Sequence, residues 1–155
     1  MRIGIISDTH GLLRPEVFTH FEGVEHILHA GDIGPLSLLT ELEAIAPVTA
    51  VWGNTDGLDV RNAVPEVGEL ELAGRRVVVT HGHQLGSPTP GALQLTHAGA
   101  DIIVYGHTHR PTKREVDGCL VLNPGGAGAP RFGLRPSLML LRIEDDELRT
   151  ELIEL

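Results

Sequence analysis

Five short apolar runs each lead into a polar side chain, and this pattern constrains the fold more than any other feature of the sequence. In open α/β sheets, the carboxyl ends of the strands form the edge where the connecting loops converge and ligands bind. We therefore predict that the five runs are buried strands whose ends meet at one site. The runs GIIS, ILHAG, VWG, VVVT and IVYG are followed by Asp8, Asp32, Asn54, His81 and His107.

Strand and helix patterns alternate in the first third of the chain. Residues 2–7, 26–29 and 48–52 are short and apolar, as in buried strands. Residues 14–21 and 35–45 have the length and spacing of helices. This alternation predicts βαβ units and a parallel sheet.

Turn signals in the rest of the chain predict three hairpins. The paired segments are 69–72 with 75–80 across Ala73-Gly74, 112–116 with 119–122 across Asp117-Gly118, and 137–143 with 147–153. Residues 90–98 predict a helix, and 102–105 another buried strand. We expect a mostly antiparallel C-terminal part and, for the whole chain, an α/β fold with two packed β-sheets flanked by helices.

Length and composition indicate one domain over residues 1–155, with 41% hydrophobic content for its core. No apolar run approaches the roughly 20 residues of a membrane span, and the N-terminus lacks a secretory signal pattern. The single cysteine, Cys119, suits a reducing compartment and a buried position. We expect a cytoplasmic protein with no membrane partner, and the sequence leaves a homo-oligomer open.

The net charge of −9 argues against binding of duplex nucleic acid, which requires many Lys and Arg contacts to phosphates. The same charge would repel an anionic substrate, unless bound cations or a few local arginines reverse the field.

Two of the strand ends carry a pair of candidate ligands separated by one residue, Asp8 with His10 and His107 with His109. In an extended chain such positions share a face about 6.6 Å apart, a span that suits two metal ions about 3.5–4 Å apart. Either pair alone is as typical of a structural feature as of a metal site. All seven polar side chains together favour a pair of cations, with His107 and His109 serving different ions.

The motifs D-x-H, G-D, G-N, H-G-H and G-H-T-H, in this order, resemble the metallophosphoesterase (calcineurin-like phosphoesterase) superfamily, in particular its small single-domain prokaryotic phosphodiesterases. The resemblance runs from Met1 to about residue 131. It implies a β-sandwich of two mixed sheets in an α/β/β/α arrangement. It assigns Asp8, His10, Asp32 and His109 to one metal and Asp32, Asn54, His81 and His107 to the other, with Asp32 as the bridge.

This resemblance implies a phosphodiesterase that hydrolyses a small phosphoester with a hydroxide shared by two divalent metals. Oxygen and imidazole donors suit Mn, which we expect first, and also Ni, Co, Fe or Zn. The catalytic candidates are Asp32, Asn54, His83 and Asp56. The alternative is a protein-binding scaffold with little activity, like the retromer subunit that shares this fold.

The chain departs from the family pattern after its third strand, where it reads GNTD and many members have a histidine in place of Thr55. A threonine hydroxyl is too weak an acid to protonate a leaving group at neutral pH. We therefore expect modest turnover, best on esters with good leaving groups. His83 is a candidate replacement, with a packing role as its alternative, and Arg131 could hold a phosphate or lie free on the surface.

Overall fold

The computed structural model describes all 155 residues, Met1–Leu155, as ten strands and four α-helices. The strands are β1 (Arg2–Ile6), β2 (His26–His29), β3 (Val48–Ala50), β4 (Val67–Leu72), β5 (Arg75–Thr80), β6 (Ile102–Val104), β7 (Thr112–Val116), β8 (Cys119–Asn123), β9 (Ser137–Glu144) and β10 (Glu147–Glu154). The helices are α1 (Pro15–His20), α2 (Ser37–Glu43), α3 (Leu58–Ala63) and α4 (Pro90–Thr96), with a 3-10 helix at His83–Leu85. None of the helices has the length and hydropathy needed to cross a membrane.

The strands form two five-stranded mixed sheets, in the orders β10-β9-β1-β2-β3 and β4-β5-β6-β8-β7. In the first sheet, β1, β2 and β3 are parallel and β9 runs antiparallel to β1. In the second, β6 is parallel to both of its neighbours. The strands β1, β5 and β6 have near-continuous apolar sequences because they lie inside their sheets and are covered on one face by the other sheet and on the other face by helices.

Three apolar clusters hold these layers together and confirm the predicted sandwich of two mixed sheets flanked by helices. The first cluster lies between the sheets, where Ile3 and Ile5 of β1 share it with Val77 and Val79 of β5. The second packs the outer face of the first sheet against α1, α2 and α3, and the third packs Leu93 of α4 on the outer face of the second sheet. The resulting order of layers is α/β/β/α.

All three predicted hairpins are confirmed, by the pairs β4–β5, β7–β8 and β9–β10. Ala73 and Asp117 have left-handed φ angles of 48° each, as type I′ turns require. The C-terminal part is mostly antiparallel, as expected, and the exception is β6, which lies between β5 and β8 and runs parallel to both. Its short apolar sequence fits either direction, so the sequence alone did not reveal the parallel pairing.

Two short helices have no counterpart in the sequence prediction. Helix α3 buries only Val60, so its sequence lacks the repeated apolar positions that mark an amphipathic helix. The 3-10 helix His83–Leu85 buries none of its residues. The predicted helices α1, α2 and α4 are present: α1 is one residue and α2 two residues shorter at each end, and α4 begins as predicted and ends two residues earlier.

Candidate metal centre

The candidate site lies just past the carboxyl ends of β1, β2, β3, β5 and β6, where the sequence placed it. The backbone there is not extended. Five of the candidate ligands have left-handed φ angles, which are uncommon outside glycine. These are Asp8 (53°), His10 (45°), Asp32 (53°), His107 (70°) and His109 (58°).

These angles correct the assumption that Asp8 and His10, or His107 and His109, share one face of an extended segment. Each strand ends in a sharp turn, and the turn directs side chains from different strands toward one point. Strained φ angles of this kind cluster at functional sites, where surrounding contacts stabilise them.

Two carboxylates form the centre of the site. Asp8 Oδ1 lies 3.3 Å from His109 Nε2, and Asp32 Oδ2 lies 3.2 Å from His81 Nε2. His10 Nε2 lies 4.0 Å from Asp8 Oδ1 and 3.8 Å from Asp32 Oδ2, so it faces both carboxylates.

Asn54 and His107 complete the set on the side of His81. Asn54 Oδ1 is 3.1 Å from His81 Nε2, and the ring centroid of His107 is 5.2 Å from that of His81. The structure thus brings together all seven side chains that the sequence singled out.

The ligand atoms fall into two groups within which all distances are at most 4.8 Å, Asp8–His10–His109 and Asp8–Asp32–His81. Asp8 belongs to both groups, while Asp32 Oδ2 faces His10 as well as His81. Both carboxylates therefore lie between the two sets of imidazoles, and Asp8, not Asp32, is the residue common to both groups.

Buried polar atoms without partners indicate that these residues fit a metal ion. Asp8 Oδ1 and His10 Nε2 are both buried and have no hydrogen-bond partner. Such atoms are costly in a folded protein unless something else satisfies them. Carboxylate oxygens and imidazole nitrogens that converge without protein donors are the donor set of a divalent metal. The family described below and these groups together indicate that the chain binds divalent metal.

Each central carboxylate is anchored through one oxygen and leaves the other directed at the site. Asp8 Oδ2 accepts hydrogen bonds from Ser7 Oγ (2.7 Å) and from the His107 backbone N–H (3.1 Å). Asp32 Oδ1 accepts one from the Thr55 backbone N–H (2.9 Å). The loops after β1, β3 and β6 therefore fix the orientation of both carboxylates.

His81 is oriented in the same way. Its Nδ1 lies 2.7 Å from the carbonyl oxygen of Ala30, so Nδ1–H donates to that oxygen and Nε2 is free for a metal. Burial by itself would lower the pKa of His81, but the hydrogen bond to Asp32 and the charge of Asp8 raise it overall. Burial would likewise raise the pKa of Asp32, but His81 and the Thr55 N–H lower it below its usual range.

Glycines make room for the carboxylates. Gly31 has a left-handed φ of 94°, which favours glycine in a sharp turn. Gly53 and Gly106 do not have left-handed φ angles, and their role is to leave space. A Cβ atom at Gly53 would overlap the Asp32 carboxylate, and one at Gly106 would lie 2.8 Å from Asp8 Oδ2.

The other two catalytic candidates lie beside this centre. The Asp56 carboxylate is 5% exposed and accepts hydrogen bonds from the backbone N–H groups of Ile33, Gly34 and Gly53, so it ties the loop after β3 to the loop after β2. The ring of His83 is 5.4 Å from that of His81, and burial lowers the pKa of His83.

Asn123, the last residue of β8, was not among the candidate site residues. Its buried amide donates hydrogen bonds to Gly106 O and Thr108 Oγ1 (3.0 Å each), which fixes the G-H-T-H loop. The available signal was the polar residue that ends the apolar run LVLN, the same feature that marked the five other strands. His29 of β2 is fully buried and contacts Thr9 Oγ1 at 3.0 Å through Nε2.

Residues 1–146 match the family model of the calcineurin-like phosphoesterase superfamily domain. A probable metallophosphoesterase of Methanothermobacter thermautotrophicus is 42% identical, with 99% of this chain and 92% of the relative covered. A phosphodiesterase of Methanocaldococcus jannaschii is 31% identical, with 99% and 100% covered. The crystal structure of wild-type Vps29 complexed with Zn²⁺, from Entamoeba histolytica, has a TM-score of 0.79 and 26% identity, with 99% of each chain covered.

The chain is a metal-dependent phosphoesterase by class. Its four-layer sandwich carries aspartates and histidines at the strand ends, and its relatives are phosphoesterases. The chain belongs to the calcineurin-like phosphoesterase superfamily.

Proposed function

We propose that the chain is a phosphodiesterase that uses two divalent metal ions to hydrolyse small phosphodiesters. The observation that carries this proposal is the pair of buried carboxylates, Asp8 and Asp32, each with one oxygen anchored and one directed toward imidazoles. The phosphodiesterase of M. jannaschii, which is covered over its whole length, supports the diester specificity.

In the proposed site, Asp8, His10, Asp32 and His109 hold one metal and Asp32, Asn54, His81 and His107 the other. Bound dications supply an activated water and positive charge for the phosphoryl oxygens. They also reverse the repulsion that a chain with a net charge of −9 would exert on a phosphate. We propose Mn as the metal and the cytoplasm as the compartment, where the buried free thiol of Cys119 would stay reduced.

Within this site, Asp32 and Asn54 act as metal ligands. Asp56 holds the loop that carries Asn54 in place by accepting hydrogen bonds from three backbone N–H groups. Position 55 is exposed and its backbone N–H anchors Asp32, so a threonine there supports the site without supplying a proton.

The proposed proton donor in place of a histidine at position 55 is His83. Its Nδ1 has no partner, and its ring lies 6.5 Å from that of His107. We expect His83→Ala to slow hydrolysis of an alkyl ester more than of a p-nitrophenyl ester, measured as kcat/KM at saturating Mn²⁺. Equal losses on both esters would assign His83 to packing against Trp52, whose ring centroid lies 5.3 Å away.

Hydrolysis of bis(p-nitrophenyl) phosphate tests the proposed function. We expect turnover that requires added Mn²⁺, Ni²⁺, Co²⁺ or Zn²⁺ and falls by about 100-fold or more in Asp8→Asn, in line with loss of a metal ligand. Asp117→Asn, in an exposed hairpin turn, is the matched control and should keep full activity. Absence of turnover with every one of these metals would contradict the proposal.

The second candidate is a protein-binding scaffold built on the same metal site. The similarity to Vps29 favours it, as does the departure from the family pattern at Thr55. This candidate predicts metal binding without turnover in the assay above, so the same experiment separates the two.

A further inference from the structure

Phe132 is an exposed aromatic residue beside the candidate metal centre. It lies in the connection between β8 and β9, and its side chain is 74% exposed. Its ring meets that of His109 edge-on, with centroids 5.9 Å apart and planes 85° apart. An aromatic side chain gains most when it is buried, so packing in the fold does not account for a phenylalanine here.

The backbone of Phe132 gives a second reason to look for a role outside the fold. Arg131 and Leu134 form an isolated antiparallel bridge, with the Leu134 N–H donating to Arg131 O (2.9 Å). Phe132 and Gly133 between them have left-handed φ angles of 55° and 69°. Turns of this type favour Asn or Asp before Gly, and a bulky residue is disfavoured there. Neither burial nor turn geometry therefore explains a phenylalanine at this position.

A groove of about 370 Å³ lies next to Phe132. It is lined by Gly86, Ser87, His107, Thr108, Arg110 and Phe132. His107 is one of the seven candidate ligands, so the groove and the metal centre share a wall. If the phosphate of a ligand were bound at the metals, the group esterified to that phosphate could lie in this groove.

The volume and composition of the groove indicate the class of that group. It is at the small end of the range for small-molecule sites, which fits a single flat ring system with its sugar and not a polymer. Phe132 offers an aromatic face and Arg110 a positive charge, the combination that binds bases by stacking without reading their edges.

We propose that Phe132 is a specificity residue that stacks on a nucleobase, so that the preferred substrates are phosphoesters of nucleosides. This inference rests on the proposed function, since it needs the phosphate group to bind at the metal centre. The strained turn then holds the ring ready beside His109, and the bound base covers the exposed aromatic surface.

Titration calorimetry of the Mn²⁺-loaded full chain with AMP and with ribose 5-phosphate tests the inference, because the two probes differ only in the base. We expect the native protein to bind AMP more tightly than ribose 5-phosphate. Phe132→Ala should weaken AMP binding about fivefold to tenfold, the lower end of the effect of one lost stacking contact, and change ribose 5-phosphate binding by less than about twofold. Phe132→Trp should keep AMP binding close to native, and Phe18→Ala, at an exposed phenylalanine of α1, is the matched control.

Equal affinities of the native protein for the two probes, or equal losses for both in Phe132→Ala, would overturn the inference. A dimer seen by sedimentation in the native protein and dissociated by Phe132→Ala would assign the ring to a second copy of the chain and would also overturn it. The proposed function fails only if phosphodiester hydrolysis is absent. The calorimetric measurement detects binding and needs no turnover, so the two failures can be told apart.

Discussion

At the scale of single residues, the site depends on carboxylates that use one oxygen for the fold and one for the metal. Asp8 Oδ2 accepts hydrogen bonds from Ser7 and His107, while Asp8 Oδ1 is buried without a partner. An isolated buried carboxylate oxygen is unfavourable, so metal binding should stabilise the folded chain.

The first prediction concerns that free oxygen. Asp8→Asn should abolish most of the rise in Tm that Mn²⁺ produces. Ser7 and His107 donate to the anchored oxygen, so the amide oxygen should take that position and the uncharged NH2 group should replace the oxygen that both groups of ligands share. Differential scanning calorimetry with and without Mn²⁺ measures the effect. If Asp8→Asn responded to Mn²⁺ as the native chain does, Asp8 would not be a ligand.

The second prediction concerns His29, which is fully buried and whose pKa burial lowers to about 4. The Gly31 N–H donates to His29 Nδ1, so the ring is neutral and donates to Thr9 Oγ1 through Nε2. An unfolded chain binds this proton near the ordinary pKa of 6.5, whereas the folded chain does not until about pH 4. The contribution of neutral His29 to the free energy of unfolding is thus complete above pH 6.5 and decreases as the pH falls toward 4.

The difference in pKa corresponds to a loss of about 3 kcal/mol in the free energy of unfolding over this interval. His29→Gln lacks a titrating group, so its stability should depend less on pH between 6.5 and 4. Urea unfolding in the presence of a chelator at several pH values compares the two chains without metal effects. Parallel curves for both would show that His29 is not the source of the acid sensitivity.

At position 55 we predict a gain. Thr55→His should raise kcat/KM about tenfold or more on an ester with an alkyl leaving group and much less on a p-nitrophenyl ester, since only the former needs a general acid. Assays of both esters under the same metal conditions measure the change. An equal gain on both would mean that the new histidine acts on binding and not on proton transfer.

At the scale of elements, loops meet so closely that several positions have no space for a side chain. A Cβ atom at Gly106 would lie 2.8 Å from Asp8 Oδ2 and 2.9 Å from Ala30 O. The loops after β1, β2 and β6 are therefore packed against one another at the metal centre.

Gly106→Ala should displace the Asp8 carboxylate, lower Mn²⁺ affinity and destabilise the chain by about 1–3 kcal/mol, the usual cost of overpacking. Gly91→Ala is the matched control, since a Cβ there has no atom within 4 Å and Gly91 lies in α4. It should stabilise by about 0.5–1 kcal/mol through helix propensity. Chemical denaturation and Mn²⁺ titration of both variants test this, and native Mn²⁺ affinity in Gly106→Ala would contradict it.

The elements that the sequence predicts well are those with a strong local signal. β2 and β5 have the predicted bounds, and the turns at Ala73-Gly74 and Asp117-Gly118 lie where their left-handed angles require small or polar residues. Helix α3 was missed because a single buried residue, Val60, leaves no periodic pattern. The parallel pairing of β6 with β8 depends on contacts between distant segments, which no local pattern encodes.

At the scale of the whole molecule, we expect the fold to form without the metal, because apolar packing holds its layers together. None of the seven candidate ligands belongs to the three apolar clusters that hold the layers together. Removal of metal with a chelator should therefore abolish hydrolysis and lower Tm by about 5–10 °C, from the binding free energy of roughly 3 kcal/mol at 100-fold excess over Kd. Circular dichroism should show unchanged secondary structure after chelation. Loss of the folded signal would show that the fold requires the metal.

The candidate site was predictable to the extent that strand ends converge. Polar residues after five apolar runs identified Asp8, Asp32, Asn54, His81 and His107, and the structure places them together. The left-handed backbone at the ligands was not predictable, since it depends on how the loops pack in three dimensions. For Asn123 the polar end of the run LVLN marked the position, but the hydrogen bonds that it donates to the G-H-T-H loop depend on the same packing.

The location of metal ions in crystals grown with Mn²⁺ tests the central claim most directly. Anomalous scattering should reveal two peaks about 3.5–4 Å apart, with the Asp32 carboxylate between them. Asp32→Ala should remove at least one peak in crystals of the same form. The absence of any peak among the seven side chains, in a protein that still hydrolyses phosphodiesters, would contradict the account.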